Sequence, residues 1–262
     1  MHFAVIGHPI AHSLSPMLHE TWLKAAGLFG CYTMVDVEAD ALESLVMRLR
    51  NRQLDGINVT IPYKTAIIPF LDRLEPAAAR AGAVNTVYWD GEELVGANTD
   101  GIGFARALAT QGTTTTNLLV IGAGGAARGI IPALSGRVTV MNRTDATAQQ
   151  VATELGCNSI PWSTVVDLTP YDVVINTTSV GMAPNLEAMP IELTETTALI
   201  CDIIYRPTPT RLLREATASG LATLDGVLMF VLQAAEAFER FTGQKPDLAL
   251  GEQVIRKQLE ES

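Results

Sequence analysis

Residues Asn117–Arg143, NLLVIGAGGAARGIIPALSGRVTVMNR, constrain the fold more than any other stretch of the chain. A short apolar run, Leu118–Ile121, feeds Gly122-Ala123-Gly124-Gly125-Ala126. A helix-like segment then leads to a second apolar run, Val138–Met141. This is the strand, glycine turn, helix and strand of a dinucleotide-binding βαβ unit. Gly122 would allow the tight turn, and Gly124 would let the backbone approach a pyrophosphate. The helix N-terminus would offer free N–H groups to that anion. Ala127 stands where the fingerprint has its third glycine, a permitted replacement. Such turns also occur in proteins that bind no nucleotide, so the residues after the second strand decide more. An NAD site commonly ends that strand in an acidic residue that bonds the ribose 2′-OH. Here Asn142-Arg143-Thr144 follows, with Arg143 21 residues beyond Gly122. An arginine there suits a 2′-phosphate, and the stretch reads as an NADP(H) site. The alternative is a surface arginine after a strand.

The 262 residues are 48% hydrophobic, enough to bury one large core or two modest ones. A net charge of −10 argues against nucleic acid or an anionic membrane as partner. It leaves room for an anionic small-molecule substrate, because a local Lys or Arg can reverse the field within one cleft. Cys31, Cys157 and Cys201 are far apart and lack metal-ligand spacing. Cys31 and Cys201 sit in apolar, strand-like runs and are expected as buried thiols. That usage fits a reducing cytosol, and a cytoplasmic location is expected. MHFAVIGHPIAHS lacks the basic and apolar regions of a signal peptide. No run of about 18 apolar residues exists to span a membrane.

Strand-like and helix-like segments alternate along the chain. Strands are expected at Phe3–Gly7, Cys31–Val37, Gly56–Thr60, Val138–Met141, Val173–Asn176 and Leu199–Ile204. Helices are expected near Pro16–Ala26, Ala41–Arg52, Thr65–Leu71, Pro76–Ala81, Gly101–Gln111, Ala146–Leu155, Pro209–Ser219, Phe230–Phe241 and Gly251–Leu259. Asn85–Trp89 and Leu94–Ala97, joined by Asp90-Gly91, form an expected hairpin, since Asp-Gly supplies the positive φ of such turns. The polar stretch Gly112–Asn117 looks like the start of a second domain. The alternation implies an α/β protein with parallel sheets covered on both faces, whose ligands bind beyond the carboxyl ends of strands.

Four polar clusters follow apolar runs in the N-terminal half. In His12-Ser13-Leu14-Ser15-Pro16, two hydroxyls could meet a carboxylate, or Ser15 could cap a helix that begins at Pro16. In Asn58-Val59-Thr60-Ile61-Pro62-Tyr63-Lys64, the lysine is either solvated or held where a β-rich run and a proline place it. Gly82-Ala83-Val84-Asn85-Thr86 and Asn98-Thr99-Asp100-Gly101 complete the set, and Asn85, Asn98 and Asp100 could each be turn residues. Taken together at these separations, the clusters favour one cleft. His2, His8, His12 and His19 show no ligand pattern, so no metal is expected.

The motifs SLSP, NVTIPYK, GAVNT, NTDG, GAGGAAR, NRT, INTTSVGM, DIIYRPTPT and DGVLMFVLQAAEAF run in this order from about Gly7 to Phe238. Together they resemble the shikimate dehydrogenase family. The resemblance implies reversible reduction of 3-dehydroshikimate to shikimate with NADPH, in the pathway to chorismate and the aromatic amino acids. It implies a two-domain α/β fold with a cleft between a substrate domain and a Rossmann-like nucleotide domain. The substrate domain is expected at residues 1–100 with 230–262, and the NADP domain at 101–229. Carried over by motif, Ser13 and Ser15 would bind the substrate carboxylate. Thr60, Asn85, Asp100, Tyr205 and Gln233 would contact carboxylate or ring hydroxyls, and Lys64 would pair with Asp100 as the catalytic residues. Gly122, Ala123, Gly124, Gly125 and Ala126 would hold the cofactor, together with Asn142, Arg143, Thr144, Asp145, Ala146 and Thr147. Ile203 and Gly226 would border the nicotinamide. Leu228-Met229-Phe230 departs from the Gly-Met-Leu of many members of that family, so a differently shaped nicotinamide pocket is expected, and Leu14 is a neutral variation. Monomer and homodimer remain equally open.

Carbonyl reduction needs a hydride at carbon and a proton at oxygen, and Lys64 is the cationic donor in the four clusters. An NAD-linked quinate or shikimate enzyme would prefer an acidic residue near position 143. A binding module without turnover would be expected to lose Lys64 or Asp100. A folate-type or glutamyl-tRNA-reductase-like dehydrogenase shares the nucleotide domain but not SLSP or NVTIPYK.

Overall fold

The structure is a computed structural model that describes residues 1–261; Ser262, the end of the expected substrate domain, lies outside the described residues. The chain forms two compact α/β units, residues 1–103 with 231–261, and residues 104–230. The boundaries fall three residues and one residue beyond those expected. Both lie inside helices, where no change in composition marks them.

In the first unit the elements are β1 (His2–Gly7), α1 (Ser15–Ala25), β2 (Cys31–Asp36), α2 (Leu42–Arg50) and β3 (Gly56–Val59). They continue with β4 (Arg73–Leu74), α3 (Pro76–Ala81), β5 (Thr86–Asp90), β6 (Glu93–Ala97) and the start of α4 (Asp100–Ala109). The sheet order is β2-β1-β3-β5-β6-β4. Strand β1 pairs in parallel with β2 and β3, whereas β5 runs antiparallel to β3 and β6. The sheet is therefore mixed: β1, β2 and β3 are parallel, and the expected Asp90-Gly91 hairpin reverses the chain between β5 and β6. Alternation along β1 sends Ala4 and Ile6 into a core with Leu45, Val46 and Leu49 of α2. Leu42, Leu45, Val46 and Leu49 recur at helical spacing, which is why α2 forms and buries that stripe.

The expected helix at Thr65–Leu71 is a series of turns ending in a single 3₁₀ turn, Ile68–Phe70. Cys31 is exposed, not buried, because β2 is an edge strand with most side chains open to solvent.

The second unit contains β7 (Asn117–Ile121), α5 (Gly125–Ile130), β8 (Arg137–Met141), α6 (Asp145–Leu155) and β9 (Asn158–Ser159). After these come β10 (Val173–Asn176), β11 (Leu199–Asp202), α7 (Arg211–Ala218), β12 (Thr223–Leu224) and the start of α8 (Gly226–Thr242). The order β12-β11-β10-β7-β8-β9, parallel throughout, is that of a Rossmann sheet. Its topological switch lies between β7 and β10, where the glycine turn emerges. The rest of α8 and α9 (Leu248–Glu260) belong to the first unit. There Phe241 stacks on Phe3 at 4.8 Å, and the Trp22 indole donates to the Asp247 carbonyl at 2.8 Å. A Cβ on Gly251 would lie 2.5 Å from the Trp22 ring, so only glycine lets α9 approach α1 this closely.

Candidate active site

The first sheet changes direction of winding at β1, and both loops leaving its carboxyl edge carry expected site residues. The loop after β1 holds Ser13 and Ser15, and the loop after β3 holds Thr60 and Lys64. They are tied together by the His8 N–H donating to Ile61 O at 3.0 Å and the Thr60 N–H to Ile6 O at 2.9 Å. A Cβ on Gly7 would lie 2.6 Å from the Thr60 methyl, so glycine permits this approach. The reversed β5 then places Asn85 beside the end of β3, and β6 returns Asn98, Thr99 and Asp100 to the same edge.

At that edge Lys64 Nζ donates to Asp100 Oδ2. The side chains are only 12% and 7% exposed, so bulk water reaches the pair from little of its surface. Val84 N–H donates to the Lys64 carbonyl at 2.7 Å, fixing the lysine's backbone. Asn85 Nδ2 donates to Asp100 Oδ1 and to Thr99 Oγ1, each at 2.9 Å, and to Gln233 Oε1 at 3.3 Å. Its Oδ1 accepts from Thr99 N–H at 2.8 Å and from the Thr86 hydroxyl at 3.0 Å. Asn98 accepts from Asp100 N–H at 3.1 Å and donates to Ala83 O at 2.9 Å. Gln233 comes from α8, which can lie against α4 because a Cβ on Gly103 would meet Gln233 Cβ at 2.8 Å.

Under this layer Asn58 donates to Asn85 O and Thr86 Oγ1 and accepts from the Tyr32 hydroxyl at 2.7 Å. Thr86, Thr99 and Tyr32 were not among the expected site residues. Thr86 and Thr99 fall within two of the polar clusters, but their part, like that of Tyr32, is set by contacts between separate segments. Among the described residues, the Thr60 hydroxyl has no hydrogen-bond partner and remains available to a ligand.

Ser15 is the first residue of α1 and caps nothing; the N-cap is Leu14, and no side chain caps the helix. Instead Ser13 Oγ accepts the Ser15 N–H at 3.3 Å and donates to Ser15 Oγ at 3.2 Å. The capping alternative for Ser15 is thereby removed, and the two hydroxyls stand side by side.

In the second unit Gly122 has φ +108°, and a Cβ there would lie 2.7 Å from Thr177 Oγ1 across the switch point. Gly124 is different: its φ of −83° suits any residue, yet no protein atom lies within 4 Å of where its Cβ would be. The fold itself does not require glycine at 124, and the bare backbone there could admit a phosphate. Ala123 is buried, Gly125 opens α5 and Ala126 follows it, while Ala127 is fully buried in the place of the third glycine. Gly122 N–H donates to Met141 O at 2.8 Å, so the 142–147 turn follows directly alongside. There Asn142 Nδ2 donates to Thr144 O at 3.1 Å, Asp145 accepts the Trp162 N–H at 3.0 Å, and Thr147 N–H donates to Thr144 O. Arg143 and Ala146 are exposed, and Arg143 makes no ion pair or hydrogen bond among the described residues. The open glycine and the unpaired guanidinium fit a dinucleotide with a 2′-phosphate. Ile203 and Gly226 meet: a Cβ on Gly226 would be 2.2 Å from Ile203 O, so only glycine can begin α8 here. Tyr205 stacks on Phe230 at 4.3 Å.

A Rossmann unit joined in one chain to a second α/β unit bearing a buried lysine–aspartate pair defines a two-domain oxidoreductase of the dinucleotide-binding class. Residues 5–87 match the shikimate dehydrogenase substrate binding domain, 105–203 the shikimate / quinate 5-dehydrogenase family, and 226–260 the shikimate 5′-dehydrogenase C-terminal domain. The chain belongs to the shikimate dehydrogenase family. It is 82% identical, over the full length of both chains, to the shikimate dehydrogenase (NADP(+)) of Exiguobacterium sibiricum. A relative of the same description from another Exiguobacterium strain is 48% identical, again over 100% of both chains. Among solved structures, the Thermus thermophilus shikimate 5-dehydrogenase in complex with NADP(H) and shikimate superposes with a TM-score of 0.90. It is 39% identical, with 98% of this chain and 99% of that one covered.

Proposed function

We propose that this chain catalyses the reversible, NADP-dependent reduction of 3-dehydroshikimate to shikimate, on the way to chorismate and the aromatic amino acids. The observation that carries this reading is the buried Lys64–Asp100 pair, braced by Asn85, in a chain of this family. The first unit is the substrate domain and the second the NADP domain. Ser13, Ser15 and Thr60 supply hydroxyl donors for the substrate carboxylate. Asn85, Asp100, Tyr205 and Gln233 contact carboxylate or ring hydroxyls. Bound NADPH supplies the hydride for the carbonyl carbon. Lys64, directed by Asp100, gives a proton to the oxygen on which negative charge develops, and in the oxidative direction the neutral amine takes it back. Residues Gly122–Ala126 receive the pyrophosphate, Asn142–Thr147 the adenosine end, and Ile203 and Gly226 border the nicotinamide.

The acidic chain is read as having no nucleic-acid partner, and as acting in the cytoplasm as a monomer or homodimer. Three unpaired cysteines support the reducing compartment. Among the described residues no helix is long and apolar enough to cross a membrane.

Initial rates with shikimate or quinate, each with NADP or NAD, test the assignment. Shikimate with NADP is expected to be the fastest of the four pairs. Failure to oxidise shikimate with NADP, or a preference for quinate with NAD, would overturn it.

Arg143→Ala should raise KM for NADP by roughly tenfold or more, the loss of a charge-assisted bond contributing about 1.5–3 kcal/mol. KM for NAD should change little. Equal effects on both cofactors would remove Arg143 from the site.

Ser13→Ala and Ser15→Ala should each raise KM for shikimate while the Kd for NADP, measured by titration calorimetry, stays the same. Because Ser15 caps no helix end, its replacement should leave Tm close to wild type. A lowered Tm with unaltered KM would sink the carboxylate role.

A further inference from the structure

One buried acid at the carboxyl edge of the second sheet takes no part in the chemistry above. Asp202 ends β11, is 1% exposed and forms no ion pair among the described residues. Its Oδ1 accepts from Asn176 Nδ2 of β10 at 3.1 Å and from Ile204 N–H at 3.0 Å; its Oδ2 accepts from the Thr210 hydroxyl at 2.8 Å. Burial raises this carboxyl to about 6, against the opposing pull of the three hydrogen bonds. A buried charge without a counter-ion is costly, and mere filling of space would be served better by an apolar side chain.

The donors come from the end of β10 and from both ends of residues 203–210. Asn176 also organises the loop after β10: its Oδ1 accepts the N–H and hydroxyl of Thr178 at 3.0 and 2.7 Å. The neighbouring Thr177 hydroxyl donates to Ile121 O and lies where a Cβ on Gly122 would fall. Thr210 is the N-cap of α7, accepting from Leu213 N–H at 3.5 Å. Ile204 sits between Ile203, whose carbonyl abuts Gly226, and Tyr205, whose ring rests on Phe230. The carboxylate thus pins both ends of residues 203–210 to the sheet edge and to the loop facing the glycine turn.

We propose that Asp202 is a positioning residue, whose carboxylate holds the 203–210 segment so that Ile203 and Tyr205 meet nicotinamide and substrate in one fixed geometry. This rests on the roles given to those two residues under the proposed function. Small displacements of groups that align reactants cost rate steeply, while the distant adenosine end of the cofactor is indifferent to them.

The test uses the full chain with Asp202→Asn, Thr210→Val and Thr210→Ser. Asp202→Asn sets a donating amide among donors, and Thr210→Val deletes one donor, together with the cap on Leu213 N–H, while keeping the shape. Both should lower kcat for shikimate oxidation by roughly tenfold or more per folded molecule. Affinity for adenosine 2′,5′-bisphosphate, read by calorimetry, should stay within about twofold in both. Thr210→Ser keeps the hydroxyl and should restore near wild-type kcat. The double variant Asp202→Asn/Thr210→Val should be little worse than Asp202→Asn alone, since the two groups act through one contact. Wild-type kcat and KM in Thr210→Val, whatever its Tm, would overturn the proposal even if Asp202→Asn does not fold. An inactive wild type would instead overturn the parent assignment, a result read before any variant is made.

Discussion

Replacing Lys64 by alanine is expected to lower kcat for shikimate oxidation by roughly 10²–10⁴-fold while the Kd for NADP is unchanged. The expectation follows from where the side chain sits: 12% exposed, its ammonium on Asp100 Oδ2, its backbone carbonyl tied to Val84. A lysine held this way has lost the mobility of a surface side chain, and solvation alone does not explain its burial. Asp100→Asn should also lose activity, because it removes the charge that directs the ammonium. It would in addition present an amide to Asn85, which already donates to Oδ1. The losses should be strongly non-additive, the double variant being little slower than Lys64→Ala, as for groups that act as a unit. Turnover near the wild-type rate in Lys64→Ala would end this mechanism and leave the fold and cofactor assignments standing.

The second large effect concerns stability in acid. His19 of α1 is fully enclosed, stacked on Tyr32 at 4.2 Å and edged by Trp22 at 5.7 Å. Neither of its ring nitrogens finds a hydrogen-bond partner among the described residues. Burial lowers its pKa from 6.5 to about 3, so the native chain keeps the ring neutral. In the unfolded chain the imidazole takes up a proton below its ordinary value of 6.5. Native stability therefore falls as pH drops from 6.5 towards 3 and levels off below that. The gap corresponds to about 5 kcal/mol in full, and to about 2 kcal/mol already at pH 5. Urea unfolding at pH 7 and pH 5 should show this loss in the wild type and a much smaller one in His19→Phe. The comparison cancels what the carboxylates contribute, because they are present in both. An unchanged difference between the two pH values in His19→Phe would show that the ring is not the acid-sensitive group.

What could be read from the sequence was whatever consecutive residues encode. The glycine turn, its flanking strands and the 142–147 turn depend on neighbours a few positions apart, and the Rossmann order follows from strand–helix alternation. The four polar clusters could be seen to follow strands, which places them at sheet edges. Contacts across the fold could not be read. Asn58 meets Tyr32 26 residues away, and Thr99 meets Asn85 14 residues away. The two-residue strands β4, β9 and β12 are too short to show a period. Residues Thr65–Leu71 are apolar enough for a helix, but they form turns and a single 3₁₀ turn that set Ile67 in the core. Cys31 was misjudged because an apolar run says nothing about whether its strand is central or at an edge. Helix α8 starts at Gly226 rather than Phe230, because the glycine is needed there for the Ile203 carbonyl and not to stop a helix.

The split first unit has a consequence for the order in which a growing chain becomes protein. Every strand of the second sheet exists once Leu224 has been made, and that unit is one uninterrupted stretch. The first sheet is complete far earlier, yet one of its faces must wait. Phe238 and Phe241 cover His19, and Asp247 receives Trp22; all follow the second unit along the chain. Arg240, which clamps Glu75 at 2.8 Å, also arrives late. Through most of synthesis Phe3, His19 and Trp22 lack their cover, an apolar face of the kind that chaperones hold and aggregation exploits. Helices α8 and α9 close this face only after the second unit has been made. A chain cut after Leu224 would keep every strand of the second sheet and leave this face of the first uncovered.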